Sequence, residues 1–175
     1  MNKFNHVLAF DLTSYGAALS IINQFVDDGV VKVFEVSPCG QLGILILVAH
    51  DFVSLQIIKS EVLSSYGSQI LEHSIFENVH SEVLLTYLSQ NKPLLASTMV
   101  VFEGPFVSKA LHMADQQAKA GNTLIDFRVI RTSPKNVILT VGTQAAESTT
   151  NIDYLNFKKT QIDKLQPSLR AFFEV

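Results

Sequence analysis

The chain has 175 residues, of which 47% are apolar and 17% charged, with a formal net charge of −3. That length suits one ordinary domain or two small ones, and that apolar share excludes a disordered chain. There is no clustered Lys and Arg for a nucleic-acid or anionic-membrane surface. A single Cys excludes an intrachain disulfide framework and fits a reducing cytosol. The first residues lead directly into a short apolar run without a signal peptide, and the longest apolar stretch is far too short for a membrane span.

In chain order, residues 7–12 read as a buried strand. Residues 15–28 read as a helix, with Ala18, Leu19, Ile22, Phe25 and Val26 on one stripe, Ser14 as N-cap and Gly29 as C′. Residues 30–36 alternate as a half-buried strand does, 37–41 form a turn by their Pro and Gly, and 42–49 are a continuous apolar strand. Asp51 caps a second helix running to about residue 65, and 70–76 form a fourth strand. A linking helix over 79–89 ends at Asn91-Lys92-Pro93. Strand 98–103, helix 106–120, strand 123–131, a turn at 132–136 and strand 137–142 follow. After a polar loop, Asn151 caps a helix to about Leu165, and 169–175 form the last strand.

The order repeats. Val7-Leu8-Ala9-Phe10-Asp11 recurs as Met99-Val100-Val101-Phe102-Glu103, an offset of 92. At that offset Ala18-Leu19 meets Ala110-Leu111, Asn23 meets Asp115 and Gly29 meets Gly121; after a one-residue insertion Ile44–Val48 faces Val137–Val141. The collinearity of these matches points to a duplication. The expected fold class is α+β: two tandem βαββαβ domains, over 1–90 and 91–175, each an antiparallel-rich sheet with its helices on one face.

No catalytic constellation emerges. His6, His50, His73, His80 and His112 show no metal-ligand spacing, and there is no nucleophile elbow, phosphate loop or dinucleotide fingerprint. Asp27 and Asp28, adjacent on a helix, point in different directions and read as solvated. Phe4, Phe106, Phe157, Phe172 and Phe173 suit core or interface packing better than a ligand box.

One stretch, Ala110-Leu111-His112-Met113-Ala114-Asp115-Gln116-Gln117-Ala118-Lys119-Ala120-Gly121-Asn122, resembles the first helix of the bacterial microcompartment shell domain. The succession of strand, helix, Gly, strand, short turn, apolar strand and Asp-capped helix is similar too. So is the strand leading into the linking helix, residues 68–82. The resemblance spans nearly the whole chain and implies a tandem-domain shell protein: a cytoplasmic, non-enzymatic homotrimer that imitates hexamers and packs beside other shell proteins in a microcompartment. It also implies edge contacts through Lys119, with Asp27 standing where the family's other edge lysine would be. It implies a pore for small metabolites lined by Ser37, Pro38, Cys39, Gly40 and Gln41 and by Ser133, Pro134, Lys135 and Asn136. Some tandem shell proteins hold an iron–sulfur cluster with one cysteine per chain, and the resemblance extends that role to Cys39, beside the plainer reading of an unligated thiol near the pore. The alternative from another class is an ACT-like regulatory module binding a small ligand; no nucleic acid or membrane enters either reading.

Overall fold

The structure is a computed structural model that describes residues 4–26, 29–90, 98–130, 137–143 and 157–164. Among these residues the elements run β1 (His6–Leu12), α1 (Tyr15–Phe25), β2 (Val31–Cys39), β3 (Leu42–Ala49), α2 (Phe52–Tyr66), β4 (Ile70–Phe76), α3 (Ser81–Tyr87), β5 (Thr98–Gly104), α4 (Val107–Lys119), β6 (Thr123–Val129), β7 (Val137–Thr143) and β8 (Lys158–Asp163). They build two four-stranded sheets, ordered β2-β3-β1-β4 and β6-β7-β5-β8, in which all neighbours are antiparallel. The fold is α+β, as expected.

Local chemistry explains most element ends. The Ser14 hydroxyl accepts the Ala17 N–H at 3.1 Å and so starts α1. The Asp51 carboxylate accepts the N–H groups of Val53 and Ser54 and the Ser54 hydroxyl, which starts α2 and holds Asp51 below the usual carboxylate range. Gly121, at φ +83°, closes α4 as a left-handed cap, and the N–H groups of Gly121 and Asn122 reach the carbonyls of Ala118 and Gln117. Its counterpart Gly29 does not play that part. α1 ends at Phe25 and Val26 is already extended, so Gly29 lies beyond the cap.

The two sheets share one register. Phe10 stands between Leu45 and His73, and Phe102 stands between Leu139 and Lys159. Both second strands skip one residue at the same place, Phe34 between Val33 and Glu35 and Ile125 between Leu124 and Asp126. This register corrects the one-residue insertion read from the sequence. Asp11 faces Ile44 and Glu103 faces Ile138, so the insertion between the first and third strands is two residues. The reason is the strand period: a one-residue slip would turn every side chain to the opposite face, whereas two residues keep Leu45 and Leu47 equivalent to Leu139 and Val141, all fully buried.

The second correction concerns the C-terminal region. Where a helix to Leu165 was expected, residues 158–163 form β8, paired with β5 from Glu103–Lys158 to Thr98–Asp163. The open edge of β5 offers a row of backbone groups, and satisfying them outweighs a weak local helical pattern. Asn151, Leu165 and the strand expected at 169–175 lie outside the described residues, as do Asp27, Asp28 and 91–97, where the expected domain boundary falls.

The chain forms two compact units that interleave in sequence. One contains the first sheet through Val79 together with Phe106–His112; the other contains His80–Pro105, Met113–Ile130 and the last two strands. In the first unit, Leu8, Phe10, Leu12, Leu45, Leu47 and Ala49 share one core with Ala17, Ala18 and Ile21 of α1 and Leu55, Ile58 and Val62 of α2. Both helices thus cover one face of that sheet. In the second unit, Met99, Val100, Phe102, Leu124, Phe127, Leu139 and Val141 are buried. Phe157 lays its ring where a side chain on Gly104 would have to go.

Candidate functional site

The turn between β2 and β3 is tighter than the sequence suggests. Ser37, Pro38 and Cys39 belong to β2, with Cys39 opposite Leu42, and the turn itself is Gly40-Gln41. Gly40, at φ +63°, supplies the first position of a two-residue turn that only glycine enters freely. Strand alternation then sorts the five residues. Pro38, Gly40 and Gln41 are exposed, while Ser37 and Cys39 turn inward, and Cys39 is 3% exposed. Pro38, Gly40 and Gln41 are therefore the residues that can line an opening at this turn; Ser37 donates its hydroxyl to the Glu35 carboxylate at 2.5 Å instead.

That burial also bears on a cluster. A group shared among chains needs the cysteine sulfur on each chain's surface, and Cys39 sits in the interior of its own chain. Among the described residues no group of three or more His, Cys, Asp or Glu side chains is placed to hold a metal ion. As placed within one chain, the Cys39 side chain is not presented at the surface for a cluster shared among copies. The comparable second-half residues, Ser133, Pro134, Lys135 and Asn136, lie outside the described residues.

Lys119 has a partner within the chain. Its ammonium meets Asp115 Oδ2 at 2.6 Å, one helical turn back, and the Asp115 side chain is 3% exposed. The other oxygen, Oδ1, accepts the His80 N–H at 2.7 Å. A buried carboxylate is tolerable only with such partners. The Lys119 stem is fixed by this pair while 42% of its side chain stays exposed, so the residue is both a structural counter-ion and a presentable cation.

The histidines are accounted for by packing. The rings of His73 and Phe10 are stacked, as are those of His112 and Phe76, and His6 Nδ1 accepts the Asn78 N–H at 3.3 Å. Burial and the nearby Lys59 hold His73 below its ordinary value, against a smaller opposing effect of Glu72.

Sequence reasoning missed Asp11. In the first unit its carboxylate accepts the N–H of Val107 on Oδ1 and of Ser108 on Oδ2, each at 2.9 Å, and all three residues are buried. Asp11 thus caps the N-terminus of α4, 96 residues away. Burial pushes its pKa up, and the hydrogen bonds from Ser108 and Val107 hold it partly back. Nearby, Lys109 pairs with Glu72 at 3.0 Å and His112 stacks on Phe76. The available signal was the repeat itself: each half closes its first strand with an acid, Asp11 and Glu103.

No protein family matches the chain by sequence, and no curated protein does. Its fold is similar to the crystal structure of a microcompartment protein from Desulfitobacterium hafniense. That likeness has a TM-score of 0.76 at 17% identity and covers 97% of this chain and 99% of the other. The two chains therefore share one architecture from end to end.

Proposed function

We propose that this chain is a structural, non-catalytic shell subunit of a bacterial microcompartment. Three copies form a trimer of six similar units, the trimers pack side by side with one another or with other shell proteins, and small metabolites cross a central pore. The observation that carries this reading is end-to-end agreement in fold with a microcompartment protein, joined to a duplicated unit with a shared register. In this reading Pro38, Gly40 and Gln41 face the pore together with the second-half residues 133–136, of which Lys135 makes it locally cationic. Lys119 lies at the lateral edge. The low charge fraction agrees with surface covered by copies. No described helix is long and apolar enough to cross a membrane, and the reading places the protein in the cytoplasm.

Light scattering after size exclusion tests the stoichiometry, and negative-stain microscopy tests for flat sheets. A trimer mass with sheets supports the proposal; a monomer at micromolar concentration ends it. Thermal shift against a set of amino acids and related small ligands separates the ACT-like alternative, since a true ligand stabilises in proportion to the logarithm of its saturation.

A further inference from the structure

The duplicated helices are covered very unequally. On α4, Val107, Ser108 and Leu111 are buried, within the unit that contains Asp11. At the same repeat positions on α1, Tyr15 is 37% exposed, Leu19 is 45% exposed and Gly16 is exposed. The N–H groups of Val107 and Ser108 are taken by Asp11. Those of their counterparts, Tyr15 and Gly16, lie in the first turn of α1, which has no intrahelical acceptor for them; Ser14 serves only Ala17.

The acids are unequal in the complementary way. Glu103 holds the place on β5 that Asp11 holds on β1, facing Ile138 and Lys158 as Asp11 faces Ile44 and Glu72. It is half-buried, and among the described residues no hydrogen bond or ion pair engages its carboxylate. By the same register Ile162 stands where Phe76 receives His112, and Ile162 is only half-buried. One chain therefore contains a complete acid-to-helix contact, plus one half of a second contact on β5 and β8 and the other half on α1.

We propose that these halves meet between copies of this chain. Glu103 of one copy accepts the N–H groups of Tyr15 and Gly16 of the next, and Leu19 of that next copy is covered by the β5–β8 surface around Ile162. The charges agree, a carboxylate against the positive end of a helix. The occupant is a second copy because the duplicated partners within the chain already show which surfaces fit. Such a contact is head-to-tail: each copy gives one half and receives the other, and the series ends only when a ring closes. The contact stands on the repeat alone; the number of copies in the ring rests on the trimer proposed above.

The test uses the full chain in light scattering over a concentration series. Glu103→Arg puts a cation against the helix end, and Leu19→Arg puts one in the covered apolar patch. Leu19 is exposed within its own chain, so its replacement leaves the subunit folded by circular dichroism even if the strand variant does not fold. Each variant is expected to raise the dissociation constant at least about tenfold, the cost of breaking charge-assisted hydrogen bonds or a buried apolar contact. Glu61→Arg, on the exposed side of α2, controls for the charge change and assembles like the parent. Mixing the Glu103 and Leu19 variants restores one sound contact and yields a dimer. Leu19→Arg assembling like the parent overturns the contact while leaving the trimer reading intact, and so does a mixture that stays monomeric. A parent that never assembles overturns both.

Discussion

Replacing Asp11 by alanine strips the acceptor from two backbone N–H groups that water cannot reach, since Val107 and Ser108 are 0% and 1% exposed. Each stranded buried donor costs about 1–3 kcal/mol. Against this stands relief: the carboxylate itself is buried, and removing it returns part of its desolvation cost. The balance is a loss of about 2–3 kcal/mol, read as a lower urea midpoint at unchanged slope in circular dichroism. Asp11→Asn keeps one oxygen but turns an amide N–H toward the second donor, so its loss falls between parent and alanine. The pH dependence supplies an independent check. Burial raises the folded-state pKa of Asp11 above its ordinary 3.8, so the folded state binds this proton more tightly than the unfolded one. The contribution is therefore greatest below pH 3.8 and declines as pH rises through the folded value, a slope that Asp11→Asn removes. A loss in Asp11→Ala below about 0.5 kcal/mol, the level of an ordinary surface substitution, would refute the assignment of Asp11 as the cap of α4.

The remaining expectations concern single sites. Gly43→Ala would drive a β-carbon into the Ser14 carbonyl group and to 3.0 Å from the Tyr15 Cα, and is expected to cost about 1–3 kcal/mol. For Gly104→Ala the nearest atoms are those of the Phe157 side-chain ring rather than backbone, so it costs less in the same urea titration; the reverse order would count against this packing. His73 is held below its ordinary 6.5, so the unfolded state takes its proton first and stability falls as pH drops below 6.5; His73→Gln flattens that part of a melting-temperature profile. Lys119→Ala leaves the buried Asp115 with the His80 N–H but without its cation, a loss of about 1 kcal/mol after allowance for the lysine's exposure, while Lys119→Arg retains most of the stability. If Lys119 is also the lateral edge, the alanine variant keeps the parent's mass in light scattering and forms fewer sheets.

What was legible in the sequence follows from how local the cause is. Caps at Ser14 and Asp51 act over three residues, and both were read correctly with the helices they start. β3 and β4 were read at their observed bounds because an apolar run flanked by turn residues is a short-range signal. The errors lie where a distant partner decides. β8 exists because β5 has an edge to fill, which no window over 151–165 can report. The inward orientation of Cys39 follows from three more residues of pairing with β3, so a cysteine that looks like a turn residue is a strand residue with its side chain inside. The insertion length was misjudged by one because matching apolar letters ignores which face each occupies, and face is what the register preserves.

The same distinction explains why an internal repeat tells more about assembly than about either unit alone. Two copies of one design start with equal surfaces, and equality can be broken only by what covers each surface. Within the chain Val107, Ser108 and Leu111 of α4 are buried, and the first two are capped by Asp11, whereas their counterparts Tyr15, Gly16 and Leu19 on α1 are exposed, although Ala18-Leu19 and Ala110-Leu111 are the same words. A lone exposed Leu19 would need no explanation. Leu19 with Tyr15 exposed beside it, on the face whose duplicate is buried, and with a duplicate of the capping acid that nothing among the described residues engages, does need one. Single-unit relatives of such a design would have every helix and every acid equivalent and could satisfy all of them only in a symmetric ring. Duplication places one of those contacts inside the chain, where Asp11 is free to become the shorter, fully buried acid; the contact proposed above gives the longer Glu103 the equivalent work across a boundary between copies.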